Sequence, residues 1–303
     1  MGKYIAKRIL LSIPVLLGVI LIIFIMLNVI PGDPVTIMMN EHIKPDIIAN
    51  MRASMHLDDP IYVRFLRYVG DALHGDLGTS YKMNRPVNSL IFEAFPNTLL
   101  LAVCASLVSW FIGIPVGVFS AVKKNSLADR FSMGFALFGV SMPVFFIGLI
   151  LQYLFQGMLP VSGFSSWRHL ILPSVVLGWN AAGRIARLTR SSLLGVMKSD
   201  YIRTARAKGL IERLVVSRHA LKNSLLPVIT VMAIQVADML SGAVITETIF
   251  GIPGIGRLSV TAITNRDMPL LQGTVIFTTI IIILGNLIAD ILYSVVDPRI
   301  RVQ

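Results

Sequence analysis

Two stretches of this sequence hold polar side chains where polarity is costly. Asp238 lies in the apolar run Leu225 to Thr246, three residues after Gln235. An ionised carboxylate deep in a bilayer costs about 2.5–3.5 kcal/mol on insertion scales unless it meets a cation or water. Asp238 and Gln235 are therefore read either as the lining of a polar pathway or as polar packing between helices. Asp290 is the other acid within an apolar run, close enough to its end to reach the interface. Arg184, Arg187 and Arg190 recur at i, i+3 and i+6 and share one side of a helix. They read as solvated charges on a helix emerging into the cytoplasm, or as an inner mouth that holds a carboxylate.

Other chemistries lack their residues. The five histidines (42, 56, 74, 169 and 219) never pair at i, i+4, so no zincin-like site is expected. Cys104 is the only cysteine, which excludes an intrachain disulfide or a cysteine cluster. No G-x-x-x-x-G-K-[ST] loop is present, so the chain is not expected to cradle ATP by that route. Gly251, Gly254 and Gly256 read as turn residues. No catalytic residue, metal or bound cofactor is expected.

The elements that must position these residues are membrane helices. Of 303 residues, 55% are hydrophobic and 14% charged, against roughly a quarter charged in soluble domains. Six spans are expected: Ile9 to Ile30, Pro96 to Val122, Phe131 to Val161 with a kink at Pro143, Leu170 to Leu194, Leu225 to Thr246, and Leu270 to Ala289 continuing to Val296. With both termini cytoplasmic, the inner segments carry 18 Lys and Arg and the outer ones 9. The net charge of +11 then reflects a basic membrane face near anionic lipid, not a nucleic-acid surface.

The chain divides into an anchor helix (1–30), an extracytoplasmic insert (31–95) and a core (96–303). The first span follows Lys3, Lys7 and Arg8 but is too long for a signal peptide, so it reads as an uncleaved anchor. Within the insert, Asp59-Pro60 predicts an N-cap and first helical residue. Ile61, Tyr62, Phe65, Leu66, Val69 and Leu73 predict an amphipathic helix for packing, for the membrane surface, or for docking a partner. In the core, residues 198–224 predict a knob outside the membrane. Asp200 caps a helix from Tyr201 to Lys208, Gly209 ends it, and a second helix runs from Ile211 to Asn223. Ala205 and Ala207 are expected to keep its surface low for an approaching protein.

The segment Tyr201-Ile202-Arg203-Thr204-Ala205-Arg206-Ala207-Lys208-Gly209-Leu210, then Arg218-His219-Ala220-Leu221-Lys222-Asn223, resembles the EAA coupling loop of ABC importer permeases, in the branch serving peptides, nickel and opines. Arg203 and Thr204 stand in for the first Glu and Ala. Ala205 and Gly209 match, His219 and Leu221 take the Ile and Leu positions, and Lys222 replaces the Pro. These departures resemble the first (B-type) permease of peptide systems. Pro31-Gly32-Asp33-Pro34, Leu57-Asp58-Asp59-Pro60, Gly75-Asp76-Leu77-Gly78-Thr79-Ser80 with Arg85-Pro86-Val87, Ser141-Met142-Pro143, Glu247 to Gly256 and Asp297-Pro298-Arg299 resemble the same branch in order and spacing.

The resemblance implies an all-α, six-span type I importer permease in a bacterial or archaeal cytoplasmic membrane. A homologous second permease would complete the pathway as a heterodimer. An extracytoplasmic binding protein would deliver peptides. Two ABC ATPases, which bind the ATP and Mg²⁺, would grip the loops, with Tyr201, Thr204, Ala205, Lys208, Gly209, Leu210, His219 and Leu221 as contacts here. Nickel chelates, opines or glutathione are alternative cargoes of the branch, and an ion-coupled secondary transporter is the alternative outside it.

Overall fold

A computed structural model describes residues 2–29, Arg52 and residues 58–296. The family-like segments at Pro31 to Pro34 and Asp297 to Arg299 lie outside the described residues. Among the described residues the chain is helical: α1 (Gly2–Val29), α2 (Ile61–Leu73), α3 (Val87–Val122), α4 (Leu127–Ser141), α5 (Val144–Phe155), α6 (Ile171–Val196), α7 (Asp200–Ala207), α8 (Glu212–Ser224), α9 (Leu226–Leu240), α10 (Val244–Phe250), α11 (Ile255–Thr264) and α12 (Met268–Val296). Residues Val215–Ala220 of α8 are wound as a π-helix.

The apolar runs and the helices coincide only in part. By length and hydropathy three helices can cross a bilayer: α1 over Arg8–Met26, α3 throughout, and α12 over Met268–Ile291. Two bent pairs, α4 with α5 and α8 with α9, bring the number to as many as five. The expected third span is not a kinked rod. Met142 is extended before Pro143, as a residue preceding proline prefers, so α4 ends there and α5 leaves at 104°. The expected fifth span also stops early. α9 ends at Leu240, Gly242 takes φ +111°, and α10 starts afresh at Val244. The expected fourth span is helical as α6, which carries Arg184, Arg187 and Arg190 and is not among the helices apolar enough to cross a bilayer alone.

α6 is instead enclosed by protein. Its largest interface is with α3, and α4 covers another side. Lipid offers no hydrophobic drive for helices to associate, so close packing depends on small residues. A Cβ on Gly113 or Gly117 of α3 would fall 2.8 or 2.6 Å from the Ala182 or Ala186 carbonyl oxygen of α6. One on Gly178 would fall 2.7 Å from the Ala105 carbonyl oxygen. On the α4 side, Trp179 stacks on Phe135 at 4.9 Å, and the Asn180 amide donates to the Gly139 carbonyl at 2.9 Å.

Outside the core, α2 forms as the periodicity predicts, but Pro60 occupies the N-cap and no side chain caps the helix. Asp59 reaches instead to Arg67 at 3.0 Å. Phe65 and Tyr68 pack on Phe24 of α1, while Ile61, Tyr62, Leu66 and Leu73 stay exposed.

Candidate functional site

The knob of residues 198–224 is built by local rules. Ser199, not Asp200, is the N-cap of α7; the Asp200 carboxylate is almost fully exposed, 3.5 Å from Arg203. At the other end the Gly209 N–H donates to the Arg206 carbonyl and the Leu210 N–H to that of Ala205, with Gly209 at φ +77°. This is the Schellman arrangement, and its left-handed residue is the expected glycine. Ile211 then caps α8 in an extended conformation. Arg206 donates to both carboxylate oxygens of Glu212, at 2.6 and 3.0 Å, which holds that carboxyl below its usual range and keeps the pair charged at neutral pH. Asn223 donates to the Tyr201 hydroxyl at 2.9 Å and ties the far end of α8 back to α7.

One apolar cluster sits beneath these polar ties. Ile202 and Ala205 of α7 pack with Val215, Val216 and Ala220 of α8 against Ala121 at the end of α3 and Leu193 of α6. The knob is thus fixed to two long core helices. The π-helical turn sets Val215, Val216 and Ala220 inward while Arg218 stays outside. Of the candidate contacts, Tyr201, Thr204, Lys208 and Gly209 are exposed, and Leu210, His219 and Leu221 are half-buried. Ala205 is buried, which corrects the expectation that it keeps an outer surface low. Ala207 is exposed as expected.

The second cluster lies between α6 and α9. Arg184, Gln235 and Asp238 line one cavity of about 130 Å³, with Asn180, Leu177 and Met239. Gln235 is 4% exposed, and neither its amide nitrogen nor its amide oxygen has a hydrogen-bond partner. Arg187 is exposed and outside this lining. Arg184 is exposed too, and α6 continues for twelve residues beyond it. Arg190 differs again. It donates to both oxygens of the buried Asp129 carboxylate, at 3.0 and 2.8 Å, so it is paired rather than solvated. Asp290 pairs with Arg8 at 3.1 Å.

Three buried acids escaped the sequence reading, and each had a local signal. Asp129 closes a Ser126-x-x-Asp129 capping pattern; its N–H donates to the Ser126 hydroxyl at 3.1 Å. Asp267 directly precedes Met268-Pro269 at the start of α12 and accepts from the Leu270 N–H and the Ser80 hydroxyl. Glu247 is fully buried at the start of the Glu247 to Gly256 element. It accepts from the Thr98 hydroxyl at 2.8 Å and the Arg257 N–H at 3.0 Å, so it caps the N-terminus of α11. A Cβ on Gly254 would lie 2.5 Å from both groups.

Residues 113–302 match the family model described as binding-protein-dependent transport system inner membrane component, and residues 1–102 match its N-terminal companion. The chain is 42% identical to the dipeptide transport system permease protein DppB of Escherichia coli (strain K12), over 99% of both chains. It is 40% identical to the glutathione transport system permease protein GsiC of Salmonella paratyphi A, again over 99% of both. In structure it is similar to a chain of the inward-facing MetNI methionine ABC transporter. The TM-score is 0.60 at 17% identity, over 69% of this chain and 96% of that one. That likeness fixes the fold as the type I importer permease fold.

Proposed function

Because this chain belongs to the family of binding-protein-dependent transport system inner membrane components, we propose that it forms half of a pathway through which an ATP-driven importer moves small peptides inward. A homologous second permease forms the other half. An extracytoplasmic binding protein delivers the cargo, and two cytoplasmic ATPases, which bind ATP and Mg²⁺, grip the knobs. The observation that carries this reading is the construction of the knob. A rigid helix–glycine–helix body presents Tyr201, Thr204 and Lys208 outward and roots its own core on α3 and α6. A push on its outer surface is transmitted to the helices that shape the pathway.

The peptide cargo rests on relatives that carry dipeptides and glutathione at nearly equal identity, two cargoes that share peptide bonds and free termini. The ion-coupled alternative rested on Asp238 and Asp290, and Asp290 is accounted for by Arg8.

The test is reconstitution of the chain with its sister permease, ATPases and binding protein in proteoliposomes. Dipeptide uptake dependent on ATP and on the binding protein is expected. Uptake that persists without ATP and responds to an ion gradient would overturn the reading.

A further inference from the structure

The cavity between α6 and α9 carries opposite charges on its two walls and a buried amide between them. Arg184 comes from one helix and Asp238 from the other, both line the cavity, and they form no ion pair with each other or with any described residue. Both side chains are exposed at the rim of the cavity, so each is open to the opposite charge of a ligand. Asp238 lies in the last turn of α9, before the break at Gly242, where the negative end of the helix dipole adds to its attraction for a cation.

The third feature is Gln235. Its amide is more than nine-tenths buried, lines the cavity, and leaves donor and acceptor both unused. A buried amide without partners is a net cost to the fold. A peptide bond offers one N–H and one C=O, the complement of that amide.

We propose that this cavity is a recognition site within the permease for a short zwitterionic peptide, with the α-ammonium at Asp238, the α-carboxylate at Arg184 and the peptide bond at Gln235. A lone anion would answer Arg184 and leave Asp238 uncompensated; a lone cation would do the reverse. A zwitterion answers both, and the guanidinium is suited to a carboxylate through paired hydrogen bonds. The site rests on the peptide-importer reading and deepens it. It places a test of both peptide ends in the pathway itself, beyond whatever selection the binding protein makes.

The experiment uses the assembled complex of permeases and ATPases without its binding protein. Saturation-transfer NMR follows L-alanyl-L-alanine, its N-acetyl derivative and its C-terminal amide. Saturable binding of the free dipeptide is expected, with each capped form weaker by about tenfold or more, the worth of one charge-assisted hydrogen bond. Asp238→Asn should erase the preference for the free amine only, and Arg184→Gln the preference for the free carboxylate only. Gln235→Leu separates binding from folding. Loss of an unpartnered buried amide should leave the complex assembled with an equal or higher melting temperature, while binding of all three probes weakens.

Capped and free dipeptides binding alike, or Gln235→Leu binding as the wild type does, would overturn the site and assign the two charges to contacts with the sister permease. If wild-type proteoliposomes with the binding protein still import the dipeptide in that case, only the site falls. If they import no peptide, the peptide reading falls with it.

Discussion

Glu247 is a buried carboxylate with no ion-pair partner among the described residues; hydrogen bonds compensate it instead. The Thr98 hydroxyl is the pivot, donating to Glu247 and accepting from the Ile255 N–H at 2.8 Å. Thr98→Val keeps the shape and removes both bonds, leaving one carboxylate oxygen and one backbone N–H short of a partner. The expected cost is about 1–3 kcal/mol, read as a lower melting temperature of the purified complex. Gly254→Ala should be at least as damaging, because its Cβ meets the Glu247 carboxyl carbon and the Thr98 oxygen at 2.5 Å. Wild-type melting in both variants would mean the cradle contributes nothing to stability. Asp129 uses another form of compensation, a two-point contact with Arg190 plus the Ser120 hydroxyl. Neither arrangement is visible from residue type alone, since the partners come from helices far apart in sequence.

The knob is the element whose two faces can be separated. Ala205 faces its apolar core, so Ala205→Glu buries a charge among Ile202, Val215 and Val216 and should detach the knob from α3 and α6. Lower melting and lost ATPase binding are expected together. Thr204 is exposed on the same helix, its hydroxyl turned back to the Asp200 carbonyl at 3.0 Å. Thr204→Glu should weaken ATPase binding in a pull-down without moving the melting temperature. Gly209→Val adds no clash in space, but a β-branched residue at φ +77° is strained. It should disrupt the Schellman turn, giving an intermediate melting temperature and poor uptake per ATP. Normal ATPase binding in all three variants would rule out the knob as the coupling element.

At the scale of the whole molecule, charge placement predicts the orientation. Arg184 lies mid-helix, and Arg187 and Arg190 also fall within α6. With these three set aside, the inner segments retain 15 Lys and Arg against 9 outside, so the bias stands. Ser80, between α2 and α3, is 1% exposed and donates to Asp267, so it cannot serve as a labelling site. Met83, on the same outer loop, and Ala207, on the knob, are exposed. In a Cys104→Ala background, Met83→Cys should react with an impermeant thiol reagent in intact cells, and Ala207→Cys only after permeabilisation. The reverse pattern would invert the topology.

The sequence by itself determined the class of the protein, because the information is local. Runs of apolar residues report the solvent of each helix, and lysine and arginine counts set the sidedness to expect. A glycine between two short amphipathic stretches reports a left-handed turn, and Gly209 adopts it. The order of motifs along the chain carried the family resemblance. The proline marked the place of the bend at Pro143 but not its 104° size, and the break at Gly242 was not legible in the sequence. Met142-Pro143 and Gly242 each ended a helix inside an uncharged or nearly uncharged run, because backbone sterics at one residue outweigh hydropathy averaged over twenty. Nor could it say which charges pair. Arg184 and Arg190 are alike in spacing and type. Yet α4 brings the Asp129 carboxylate to Arg190, while α9 brings a cavity to Arg184. Only packing decides that, since a charge in low dielectric is defined by what stands within a few ångströms of it, and those neighbours come from other helices.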